Sequence, residues 1–232
     1  MIHIENLIKQ YGQDIVLDIP TLDIPKAQCF GLVGNNGAGK TTLFRLILDL
    51  IRASSGTVTI DGKDVKTDES WKKYVGCYLD EHMLLTFLTP DEYFKTLAKM
   101  YELSTDDLNK HLDSFEILFN NEIIGKKKYI RDLSKGNIKK VGIAAAFLGN
   151  PQVILLDEPF ENLDPTSQNR LKKIILTELS EKNTSFLISS HDLAHVTDIC
   201  DRIVLLESGR IIKDLKTEKQ SMADELSDYF NR

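Results

Sequence analysis

Residues 29–48 read CFGLVGNNGAGKTTLFRLIL. An apolar run gives way to glycine and asparagine, then to a lysine and two threonines, then to apolar residues spaced as on one face of a helix. Gly34 to Thr41 fit G-x-x-x-x-G-K-[ST], the pattern of a phosphate-binding loop. Each residue type has a chemical reason to stand there. Gly34, Gly37 and Gly39 keep the backbone bare, so the N–H groups of the loop, including those of Asn35, Asn36 and Ala38, can curl around phosphate oxygens. Lys40 reaches the β- and γ-phosphates, and Thr41, with Thr42 behind it, brings a hydroxyl to Mg²⁺. The helix that starts here aims its positive end at the anion. The stretch predicts strand, loop and helix around a nucleotide.

Working outward, "IHIENL", "IVLDI" and "TLDI" alternate apolar and polar residues, as half-buried strands do. "GTVTIDGKDV" (56–65) predicts a hairpin turning at Asp61-Gly62. Residues 84 to 135 read as helical, and "TPDEYFKTLAKMY" offers Thr89 as N-cap, Pro90 at the first position and Glu92 for a capping box. An apolar strand "VILLD" (153–157), a helix from Asp164-Pro165, and the strands "TSFLISS" and "RIVLLES" follow. Apolar strands alternating with helices predict an α/β fold with a mostly parallel sheet buried on both faces. The expectation is one domain over 1–232, its core at about 1–83 and 136–232, with a helical subdomain inserted at about 84–135.

Composition narrows the classes. The net charge of −6 argues against a general nucleic-acid binder, so no nucleic-acid partner is expected. Three widely spaced cysteines suggest no disulfide framework and point to a reducing, cytoplasmic setting. "MIHIENLIKQ" lacks the pattern of a signal peptide, and no apolar run approaches the ~20 residues of a membrane helix.

The strand "VILLD" ends in Asp157, placed to hold Mg²⁺, and Glu158 directly after it is placed to polarise an attacking water. "LSKGN" (133–137) opens a helix 20 residues earlier and resembles the LSGGQ signature of ABC ATPases. The other motifs then fall in order. Tyr11 stands where that family has its adenine-stacking aromatic, and Gly34–Thr42 is similar to its Walker A. "VGCYLDEHMLLTFLTPDEY" looks like the Q-loop and the start of the helical subdomain. "VILLDE" resembles Walker B, "ENLDP" the D-loop, and "LISSHDL" carries a switch histidine at His191.

The resemblance covers residues 1 to about 215 and implies a RecA-like P-loop NTPase core with N-terminal antiparallel strands. It implies an ATPase using ATP and Mg²⁺, with Lys40, Glu158 and His191 catalytic and Thr41, Asp80 and Asp157 at the metal. Two such domains, identical or different, would enclose two nucleotides head to tail. Ser134 and the N–H groups of Gly136 and Asn137 would meet the partner's γ-phosphate, and Asp164 would link the sites. It further implies a separately encoded membrane permease and a place on the cytoplasmic face of the membrane. The style of "LSKGN…LLDEPFENLDP" resembles bacterial ABC-2-type exporters. A soluble ABC ATPase without a transport role, serving cofactor assembly or translation, is the alternative.

The sequence departs from the family at Asp80 (for glutamine), Lys135 (for glycine), Asn137 (for glutamine) and Asn162 (for glycine); asparagine tolerates positive φ well. "KKKYIRDLSKGNIKK" reads as a solvated face leading into the nucleotide interface. "MLLTFL" (83–88) reads either as core or as a cleft for a membrane partner's helix.

Overall fold

The computed structural model describes residues 1–216. The chain opens with strands β1 (Ile2–Tyr11), β2 (Asp14–Ile24) and β3 (Cys29–Val33), then helix α1 (Lys40–Ile47) and a hairpin of β4 (Ser55–Ile60) and β5 (Lys63–Asp64). Strand β6 (Val75–Tyr78) leads into helices α2 (Pro90–Met100), α3 (Thr105–Ser114), α4 (Glu116–Phe119) and α5 (Lys135–Ala146). Then β7 (Val153–Leu156), α6 (Pro165–Lys182), β8 (Ser185–Ser190), α7 (Leu193–Ile199), β9 (Arg202–Glu207) and β10 (Arg210–Leu215) follow. The described strands form a four-stranded antiparallel sheet, β2-β1-β4-β5, and a six-stranded sheet, β10-β9-β3-β8-β7-β6, parallel except for β10.

Strand alternation divides the core into two faces. Leu32, Leu155, Leu187 and Val204 join α1 and the antiparallel sheet in one apolar cluster. Their neighbours Val33, Ile154, Ile188 and Ile203 point the other way, into a cluster shared with the helices. A sheet covered on both faces demands the near-continuous apolar runs that the sequence shows.

The local signals are realised. Asp61 and Gly62 both adopt positive φ (52° and 77°) in a two-residue turn, with Ile60 opposite Lys63. Thr89 caps α2 in a reciprocal capping box with Glu92. The helical segment is sewn to the sheet by aromatic rings. Phe94 lies 6.2 Å from His111, His111 5.1 Å from Phe115, Phe115 5.2 Å from Phe147, and Phe147 5.7 Å from Phe186 of β8.

Two readings need correction. "MLLTFL" is both core and surface: Leu84 is buried and Leu88 packs on the core, whereas Met83, Leu85 and Phe87 are exposed. The basic stretch is not solvated throughout. Lys126, Lys127, Lys128 and Lys135 are exposed, but Lys139 and Lys140 are only 9% and 5% exposed, because α5 turns that side inward.

Burial holds the His111 imidazole down to about 4, although its Nε2 meets the Ala144 carbonyl at 3.0 Å. A depressed histidine stabilises the fold fully above its unfolded value of about 6.5 and loses that contribution as pH falls toward 4. The unfolding free energy should therefore drop by about 2–3 kcal/mol between pH 7 and pH 4 on account of this group. In urea titrations at several pH values, His111→Phe should flatten that part of the curve; an unchanged slope would remove His111 as its cause.

Candidate active site

Strands β3, β8 and β7 lie side by side and parallel, with Val33 opposite Ser190 and Leu156 opposite Ile188. Whatever follows these strands is gathered at one edge, where parallel sheets place their ligand sites. After β3 the loop turns through Gly37 and Gly39, at φ 84° and 107°, a conformation that a β-carbon would strain. It delivers Lys40 as the first residue of α1. That helix has neither a capping side chain nor an acid in its first turn, which leaves its N-terminal N–H groups and positive dipole to an anion.

The side chains behind the loop interlock. The Lys40 ammonium, 7% exposed, donates to the Gly34 carbonyl at 2.6 Å and lies 3.2 Å from Glu158 Oε1. The Thr41 hydroxyl donates to Asp157 Oδ2 at 2.5 Å, and the Ser189 hydroxyl donates to the other Asp157 oxygen. Burial raises the Asp157 carboxyl above its usual range, against the two hydroxyl bonds and the Lys40 charge. Glu158 N–H donates to Ser189 Oγ at 2.9 Å, and Glu158 Oε2 is met by His191 Nδ1 at 2.9 Å and by its backbone N–H at 3.2 Å. Glu158 Oε1 is buried beside Lys40 without an aligned hydrogen bond, so one acceptor there is unsatisfied.

This set fits a nucleoside triphosphate with magnesium. The uncapped helix end and Lys40 suit phosphate, and the Thr41 and Asp157 oxygens are the hard ligands that Mg²⁺ takes. Thr42 follows, half-buried, in the first turn of α1. Asp80 lines a recess with Asp157, Glu158, Lys135 and Lys139; its carboxylate accepts the His82 N–H at 2.9 Å and lies 3.3 Å from Arg45. Tyr11, 54% exposed at the end of β1, carries the Lys9 ammonium 4.4 Å above its ring.

Ser134, Gly136 and Asn137 of LSKGN line a separate recess, together with Asn162, Asp164, Lys140 and Arg170. Ser134 caps α5 by accepting the Asn137 N–H at 3.3 Å, so that N–H is engaged within the helix cap. The Asn137 amide donates to Glu122 at 3.1 Å. A β-carbon on Gly136 would stand 2.8 Å from the Asn162 carbonyl oxygen, which binds the start of α5 closely to the 158–164 loop. Asn162 has φ 61°, the conformation its side chain tolerates. Asp164 caps α6, accepting the Ser167 N–H at 3.0 Å and its hydroxyl at 2.5 Å.

Three partners of the site escaped the motif reading: Ser189, Lys139 and Arg45. Ser189 had a signal, since a fully buried polar residue ending an apolar strand needs a partner. Lys139 and Arg45 had none, because each is one cation among several on a helix.

Comparison with known proteins agrees with this geometry. A family described as ABC transporter matches residues 17–161. An uncharacterized ABC transporter ATP-binding protein of Synechocystis is 34% identical over 193 residues, covering 83% of this chain and 54% of that protein, so the chain spans about half its length. The lipopolysaccharide export system ATP-binding protein LptB of Haemophilus influenzae is 32% identical over 229 residues, covering 95% of this chain and 92% of that one. A solved ATP-binding subunit of an ABC transporter superposes with a TM-score of 0.85 at 26% identity, covering all of both chains. The chain belongs to the ABC transporter family, as one of its ATP-binding subunits.

A buried carboxylate held above its ordinary pKa costs the fold stability once pH exceeds its unfolded value. Asp157→Asn should therefore raise the melting midpoint without ligands. The same variant should lose the additional rise that MgATP gives the wild type. A lower midpoint in differential scanning calorimetry would mean that the charged carboxylate is net stabilising.

Proposed function

We propose that this chain hydrolyses ATP to drive a separate membrane permease, working as a head-to-tail dimer around two MgATP. The observation that carries the reading is Glu158, whose carboxylate spans Lys40 and His191 while one of its oxygens lacks a hydrogen bond. In this reading Lys40 and the loop from Gly34 to Thr42 hold the β- and γ-phosphates, and Tyr11 stacks on adenine. Thr41 and Asp157 ligate Mg²⁺, with Asp80 beside them. The metal, when bound, neutralises charge on the phosphate oxygens. Glu158 Oε1 accepts the proton of the attacking water, and His191 orients Glu158 and the γ-phosphate. Lys40 leaves Glu158 for the phosphates as the site fills.

The second recess supports the dimer. Ser134, Gly136 and Asp164 line a surface apart from the chain's own loop, where another subunit's γ-phosphate would sit. Residues 84–135 act as a helical subdomain against a core of 1–83 and 136–216, the rest of the expected core (217–232) lying outside the described residues, and exposed Met83, Leu85 and Phe87 offer the apolar contact for the permease. No helix among the described residues is long and apolar enough to cross a membrane. In this reading the chain attaches through that apolar contact, on the cytoplasmic face. Similarity to an export-system subunit favours export.

Glu158→Gln should bind MgATP, hydrolyse it about 10²–10⁴-fold more slowly than the wild type, as loss of a general base predicts, and gather as a dimer in MgATP. Steady-state phosphate release and light scattering read the two effects. A wild-type rate in this variant would remove Glu158 from catalysis.

A further inference from the structure

We propose that Lys139 is a positioning residue for Glu158, and that its bond to the Glu158 carbonyl ties the LSKGN helix to the catalytic carboxylate within one subunit. The proposal rests on Glu158 being the base. Lys139, 9% exposed, donates from its ammonium to the Glu158 carbonyl oxygen at 2.7 Å and lies 3.7 Å from the Glu161 carboxylate. Burial draws this lysine below its ordinary pKa, against the pull of Glu161, Glu158 and Asp157.

Two features of Glu158 explain why an ammonium is stationed there. Its φ is 47°, a left-handed conformation that is strained for a residue with a β-carbon and persists only where the surroundings enforce it. It also precedes Pro159, so the peptide between them has no N–H and its carbonyl is the only hydrogen-bonding group. That oxygen accepts the Glu161 N–H at 3.3 Å and, more closely, the Lys139 ammonium at 2.7 Å from α5, while Ser189 holds the Glu158 N–H from β8. The main chain of the base is thus clamped from both sides. The helix supplying one clamp begins at the Ser134 cap and rests through Gly136 on the Asn162 carbonyl. A shift of α5 caused at its N-terminus therefore displaces the Glu158 carbonyl.

The test is a mutant cycle on the full chain, reading kcat and KM for MgATP. Lys139→Met, which keeps the bulk and removes the donor, should lower kcat about 10–100-fold, the loss expected from a displaced catalytic group, with KM within about twofold of wild type. Lys139→Arg, which keeps a donor, should recover most of the loss. In a Glu158→Gln background, Lys139→Met should change the residual rate by less than about twofold, since the group it positions is already gone. Should Lys139→Met fail to fold, Lys139→Ala, which also lacks the donor, takes its place in the cycle with the same expected loss. An unchanged kcat, or an equal loss in both backgrounds, overturns the positioning role while a slow Glu158→Gln upholds the base. A wild-type rate for Glu158→Gln alone overturns both.

Discussion

Asp157 and Glu158 place two carboxylates in succession after a strand packed on both faces, and the rest of the site is arranged around them. Burial pushes the Asp157 carboxyl up, so its oxygens need close partners. Lys40 answers Glu158 from the phosphate loop, hydroxyls from α1 and β8 answer Asp157, and His191 closes over the far oxygen. These partners come from two stretches of chain, 40–41 and 189–191, both distant in sequence from the two acids. They meet only because the parallel sheet sets the ends of β3, β7 and β8 side by side. The fold is thus the means of assembling charge that no local structure could hold.

Lys40 explains how such a site can wait for its substrate. With its ammonium shared between the Gly34 carbonyl and Glu158, the loop's only lysine is already paired. Under the proposed function, phosphate oxygens would compete for it and free Glu158 Oε1 to face a water, so that binding and activation of the base would be one exchange of partners.

Much of this was legible in the sequence, because glycine, lysine, aspartate and histidine are demanded there by chemistry that tolerates few replacements. The Thr89–Glu92 capping box and the Asp61-Gly62 turn were legible for a similar reason, since each is decided by neighbours in the chain. Lys139 and Arg45 were not. A lysine on a helix is usually solvated, and only the tertiary rotation of α5 turns Lys139 inward. The left-handed backbone of Glu158 was hidden as well, since glutamate does not announce positive φ as glycine or asparagine does. The segment 83–88 resisted a single reading because its residues alternate between two environments: Leu84 belongs to the core, and Phe87 to the surface.

The line of rings from Phe94 through His111, Phe115 and Phe147 to Phe186 has a mechanical meaning. A buried aromatic removes about 150–250 Å² from water, worth roughly 4–6 kcal/mol at about 25 cal/mol per Å². Prising the helical segment away from the sheet would expose several such rings at once, far beyond the ~1–3 kcal/mol typical of coupling between two sites. Sliding the rings across one another by an ångström or two keeps them buried. A displacement of the helical segment that keeps these rings buried is therefore a shear, the sliding of a packed layer and not the swing of a door.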